Sequence, residues 1–114
     1  MKESNLHREI QIAASARGHR LFRMNVGLAY VGLVINKTAE RITLSNWRPM
    51  KVGVVGMSDL VGFTREGRYA ALEVKIGRNK PSPEQIAFIE AVRAAGGIGA
   101  VVWSVDEAMT ALDG

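Results

Sequence analysis

The run from residue 59 to 103 constrains the fold more than any other part of the chain. DLVGFT and YAALEVKI read as two strands around Arg65-Glu66-Gly67. SPEQIAFIEAVRAAGG follows as a helix with both ends marked, and IGAVVW as a buried strand. Ser82 is its cap, Pro83 takes the first helical position, Gln85 completes a capping box, and Gly96-Gly97 stops it. A hairpin must pair antiparallel, whereas a strand-helix-strand link of this length suits a right-handed parallel crossover. The chain is therefore predicted to build a mixed sheet with helices on both faces.

The remaining segments add to that core. SNLHREIQIAASARG reads as a helix capped by Ser4 or Asn5 and ended by Gly18, with Leu6, Ile10, Ala13 and Ala14 as its apolar stripe. HRLFRMN, GLAYVGLVI and ERITLS read as strands, the last two joined around Asn36, Lys37 and Thr38. NWRPMKVGVVGM, with its glycines and proline, reads as a mobile loop or a broken strand. Ser104 with Glu107 predicts a second capping box, opening a short last helix. At 114 residues the chain is expected to be one domain, 1–114, with a core that needs no staples. Without cysteine it can form no disulfide and hold no thiolate-bound metal. No run approaches a membrane span, the N-terminus lacks the apolar run of a signal peptide, and a cytoplasmic protein is expected. A net charge of +4 is compatible with a polyanionic partner.

Side chains alternate along YAALEVKI, so Glu73 and Lys75 share a face, about 6.6 Å apart along the strand at ~3.3 Å per residue. A two-residue turn at Glu66-Gly67 would set Asp59 opposite Val74, on the other face. A three-residue loop sets it opposite Glu73, and Gly67 at the last loop position favours that register. Gln85 lies on the helix face of Phe88, Ile89 and Val92. Glu9 borders the stripe of the first helix, about 60° from Leu6 on the wheel. Singly, each has an ordinary explanation: an ion pair on a strand face, a strand-start aspartate, a capping glutamine, a boundary glutamate. Together they converge on one place. Bunched carboxylates repel unless a cation lies between them, and an oxygen-only ligand set suits Mg2+ or Mn2+. Such an ion polarises a phosphate and activates water, and a neighbouring lysine can hold developing charge, which amounts to phosphodiester hydrolysis.

Asp59, thirteen intervening residues, then Glu73-Val74-Lys75 resembles the D-x(n)-E-x-K signature of restriction-endonuclease-like nucleases. Glu9, Arg23-Met24-Asn25-Val26-Gly27, Gly56-Met57-Ser58-Asp59-Leu60-Val61-Gly62, Glu73-Val74-Lys75 and Ser82-Pro83-Glu84-Gln85 stand in the order of the virus-type replication–repair nuclease (VRR-NUC) domain. The resemblance implies a restriction-endonuclease-like core, a mixed central sheet flanked by helices in the order α-β-β-β-α-β-α. It implies a divalent-metal-dependent DNA nuclease using Mg2+ or Mn2+ and no nucleotide cofactor. Asp59, Glu73 and the Val74 carbonyl would be metal ligands, and Glu9 would reach the metal directly or through water. Lys75 would be the catalytic lysine and Gln85 would support the site. Ser58 stands where the family usually has proline, a change that removes no ligand.

A bare domain resembles the phage-type members, which implies a homodimer acting on branched DNA such as Holliday junctions, in a host cytoplasm. Residues 28 to 45 and Ile12 are candidates for the dimer surface. Arg23, Asn25, Lys51, Arg78 and Lys80 are candidate phosphate contacts, although each Arg or Lys taken singly reads first as a solvated surface charge. Trp47 reads as core or interface. Two alternatives stand beside this reading: a nuclease for flaps, nicks or linear duplex, and a DNA-binding module without catalysis.

Overall fold

A computed structural model describes residues 2–114. The elements run α1 (Glu3–Ala16), β1 (Arg20–Arg23), β2 (Gly27–Lys37), β3 (Ile42–Val52), β4 (Leu60–Phe63), β5 (Tyr69–Val74), α2 (Pro83–Ala94), β6 (Ile98–Val102) and α3 (Val105–Asp113). They fall into two compact units: residues up to Met24 together with Val55–Gly114, and Asn25–Val54.

The larger unit holds a four-stranded sheet in the order β1-β4-β5-β6. The first three strands are antiparallel neighbours, and β6 runs parallel to β5 after the α2 crossover. One face packs α1 and α3 over Leu6, Ile10, Leu60, Leu72, Val74, Val102 and Met109. On the other, Val61 and Ala71 meet Val92 of α2, with Phe88 and Met57 alongside. The mixed sheet with helices on both faces is thus as expected. Phe63 pairs with Tyr69 and Leu60 with Leu72, leaving the three-residue loop Arg65–Gly67. Gly67, at φ +85°, takes the left-handed conformation this loop needs, and its N–H donates to the Thr64 carbonyl at 2.8 Å.

Behind that turn, His19 ties three elements together. Its Nδ1 accepts from the Arg65 N–H at 3.0 Å and its Nε2 lies 3.0 Å from Asp113 at the end of α3. Asp113 also pairs with Arg17, and the His19 and Arg17 contacts together hold its carboxyl below its ordinary pKa.

Gly62 shows how close the strands are. A Cβ on it would run into the Arg20 carbonyl of β1, which cannot move without breaking the ladder. Gly62→Ala is expected to cost about 2–3 kcal/mol. Gly67→Ala, with open space around it, should cost only the left-handed penalty, about 1–2 kcal/mol. Urea unfolding of the two variants measures the difference.

The smaller unit is a two-stranded antiparallel hairpin of two eleven-residue strands. Of the two readings of residues 46–57, a mobile loop or a broken strand, the strand holds as far as Val52: Trp47 to Val52 lie inside β3, and Pro49 pairs with Tyr30. A proline is tolerated because each strand of a two-stranded sheet has a free edge. The strand is nonetheless irregular, with register shifts around Val31–Leu33 and Val34–Asn36 and Asn46 at φ +50°. The turn also falls later than expected, closing where the Thr38 N–H donates to the Arg41 carbonyl at 2.8 Å. Trp47 is exposed, edge-to-face with Tyr30 at 5.6 Å.

Two helix starts differ from expectation as well. Lys2, not Ser4 or Asn5, is the N-cap of α1, and no side chain caps it. Ser104 caps α3, but the Glu107 carboxylate accepts from the Trp103 N–H at 2.8 Å rather than closing a box on Ser104.

Candidate active site

The hairpin register places the site. Continuing it one residue past Leu60–Leu72 brings Asp59 across from Glu73. Asp59 Oδ2 accepts the Val74 N–H at 3.1 Å. The next amide, Lys75 N–H, donates to the Val102 carbonyl on the β6 side. Because successive peptide units in a strand point in opposite directions, the Val74 amide and carbonyl face the Asp59 side, where the carbonyl can serve as a ligand.

Glu73 is fully buried. Its Oε1 accepts from Gln85 Nε2 at 2.9 Å and lies 3.3 Å from Lys75 Nζ. Gln85 acts at two places at once. Its Oε1 accepts the Ser82 N–H at 2.8 Å and its own N–H donates to Ser82 Oγ at 3.2 Å, which closes the capping box. With Oε1 committed to the backbone, only the amide nitrogen is left to face Glu73. Capping glutamine and site glutamine are the same residue in both senses. Burial pushes the Glu73 carboxyl up to about 7. The neighbouring Asp59 carboxylate acts in the same direction, and the Lys75 ammonium partly offsets them.

A third element contributes residues that the sequence reading missed. Glu3, His7 and Asp59 each offer a ligand atom within 4.8 Å of the others. His7 is 2% exposed, with Nε2 3.3 Å from Asp59 Oδ2. That contact lacks hydrogen-bond geometry. Among the described residues neither His7 ring nitrogen nor Glu73 Oε2 has a hydrogen-bond partner. Glu9, by contrast, is exposed and is not brought to Asp59; it lines a cavity with Arg78, Asn79 and Trp103. The difference between Glu9 and the Glu3–His7 pair is one of helix phase. At ~100° per residue Glu9 lies about 60° to one side of Leu6, while Glu3 and His7 lie about 60° and 100° to the other. Only the second flank faces the hairpin. The signal was present in the spacing: His7, Ile10 and Ala14 are i, i+3 and i+7, which puts a polar ring on the buried stripe.

Of the expected phosphate contacts, Arg23, Arg78 and Lys80 belong to the sheet unit, and Asn25 and Lys51 to the hairpin unit. All five are exposed, and none forms an ion pair among the described residues. Ile12 is 64% exposed on α1.

A mixed sheet flanked by helices, with carboxylates, a glutamine and a lysine gathered around its central strands, defines a restriction-endonuclease-like α/β domain. The family model for the VRR-NUC domain matches residues 1–106, and the chain belongs to that family. Membership implies a nuclease domain with DNA as its substrate, of a kind that typically uses divalent metals. No curated protein matches the chain. No helix among the described residues is long and apolar enough to cross a membrane.

Proposed function

We propose that the chain is a single-domain Mg2+- or Mn2+-dependent endonuclease that acts on branched DNA, four-way junctions among them, as a homodimer in the cytoplasm. The observation that carries the metal-dependent reading is a buried carboxylate oxygen without a partner. Glu73 Oε2 is withdrawn from water with no hydrogen bond to compensate, a cost of ~1–3 kcal/mol. A divalent cation fits there, held by Asp59, Glu73 and the Val74 carbonyl, with Glu3 of α1 close to Asp59. Such an ion, when bound, neutralises charge on the scissile phosphate and lowers the pKa of an attacking water.

The protein's own groups do the rest. The Val74 N–H holds Asp59 in place, and Gln85 holds Glu73. Lys75, with 14% of its side chain exposed, keeps its ammonium beside Glu73 where charge develops on phosphorus. Arg23, Asn25, Lys51, Arg78 and Lys80 contact backbone phosphates, which selects DNA by shape and makes binding salt-dependent.

The dimer and the branched substrate rest on the hairpin unit. A two-stranded sheet is marginal alone, and Leu28, Leu33, Val34, Ile35 and Ile42 expose more than half of their surface. A second copy covering them would give two active sites related by a two-fold axis, as symmetric cutting of a four-way junction requires.

Incubation of labelled four-way junction and matched linear duplex with Mg2+, Mn2+ or a chelator tests the proposal, with Asp59→Asn alongside. Paired nicks near the branch point are expected, dependent on the ion and lost in the variant. Preferential cutting of linear duplex, flaps or nicks overturns the junction assignment. Salt-sensitive binding without cleavage under any ion overturns the enzyme.

A further inference from the structure

We propose that His7 is a metal ligand through Nε2, and that this nitrogen donor makes the centre prefer Mn2+ over Mg2+. The inference rests on the metal-dependent reading above and adds the ligand and the ion to it.

The imidazole has no structural role that its surroundings account for. It is 2% exposed, yet neither nitrogen is hydrogen-bonded among the described residues. An apolar side chain of similar size would pack beside Leu6 and Ile10 without leaving a polar group unpaired. An imidazolium paired with Asp59 accounts for it no better. The Nε2–Oδ2 approach of 3.3 Å is not a hydrogen bond, and the second N–H of a charged ring would be a buried donor with no acceptor. A neutral ring with a lone pair toward Asp59 needs a cation between the two.

The neighbouring atoms complete such a site. Glu3 stands one turn before His7 on the same helix face, and ligand atoms of Glu3, His7 and Asp59 lie within 4.8 Å of one another. Glu73, paired across from Asp59 by the hairpin register, brings the unpartnered Oε2. Three carboxylates, a carbonyl and one imidazole form a mixed oxygen–nitrogen donor set. Mg2+ favours oxygen ligands and retained waters. Imidazole suits transition-series ions, for which affinity at a given site rises from Mn2+ onward.

Calorimetry with Mn2+ and Mg2+ and pulsed electron paramagnetic resonance on the Mn2+-loaded full chain, unlabelled and carrying 15N-histidine, test this without reference to cleavage. Wild type should bind Mn2+ tighter than Mg2+. A histidine nitrogen coupling should appear and change with the isotope. His7→Asn should abolish the coupling and lower Mn2+ affinity by ~10-fold or more, with a smaller change for Mg2+. Saturable Mn2+ binding with no histidine coupling in wild type overturns the proposal even if the variant does not fold. If Asp59→Asn still loses that binding, the metal-dependent nuclease stands and His7 alone is refuted. Absence of any saturable Mn2+ or Mg2+ binding overturns both.

Discussion

Lys75→Ala should reduce single-turnover DNA cleavage by about 10^2- to 10^4-fold, the range for removing one preorganised cation or proton-transfer group from a reacting centre. The side chain is placed for that role by backbone geometry. Its N–H is committed to the Val102 carbonyl in the parallel β5–β6 pair, and its ammonium is 3.3 Å from Glu73 Oε1. The ammonium is held by one charge partner and one strand, so alanine leaves the sheet register intact. Far less of the effect should fall on DNA affinity, for which several other exposed cations are proposed. The measurement is the rate at saturating enzyme, with binding followed separately under chelator. A parallel loss of binding and rate would mean that Lys75 holds DNA rather than assisting the reaction. Lys75→Arg should recover little, because a planar guanidinium cannot reproduce a compact point charge in a site where 14% of the side chain is exposed.

Much of this site was legible because local chemistry decides it. A glycine at the last position of a three-residue loop specifies a hairpin register, and that register alone puts Asp59 across from Glu73 rather than Val74. The capping signature at Ser82–Gln85 fixed both the start of α2 and the orientation of the one amide that reaches Glu73. What was misread depends on information that is not local. Glu3 fell outside the expected helix because Ser4 and Asn5 are better caps than Lys2. Yet the helix starts at Glu3 with no side-chain cap at all, so packing of Leu6 and Ile10 outweighs the capping preference. Two flanks of the stripe then competed for the site, and only the tertiary placement of α1 decides between them.

The β2–β3 hairpin was obscured in a different way. Pro49 inside β3, with Gly53 and Gly56 just beyond its end, interrupts a strand pattern, and in a central strand the proline would break it. In a two-stranded pair each strand has an open edge, where a proline is tolerated. Alternation was also weak evidence there, because both faces of the hairpin carry apolar residues that this single chain leaves exposed. A pattern meant for two buried faces reads ambiguously when the second face belongs to another molecule, the role proposed for it here.

Glu73→Gln should both abolish cleavage and remove a pH dependence from the fold. In the metal-free protein, burial and the Asp59 carboxylate push the Glu73 pKa up to about 7, from an ordinary value of 4.5. The folded chain therefore holds a proton that the unfolded chain has released between those values. Stability from this group is complete below pH 4.5 and is lost as pH rises through 7. The loss is on the order of 3 kcal/mol, or roughly 10–15 °C in Tm for a domain of this size. Gln cannot ionise, yet its carbonyl can still accept from Gln85, so the variant should show a flatter profile across the same window. Thermal melts under chelator from pH 5 to 8 measure it. Divalent ion should reverse the wild-type trend, because the cation displaces the proton and its protection grows with pH. The variant should gain much less from the ion and cleave at least ~10^3-fold more slowly, having lost the carboxylate proposed as a ligand. A wild-type Tm that stays level under chelator from pH 5 to 8 would show that Glu73 is ionised throughout, with Lys75 outweighing burial and Asp59.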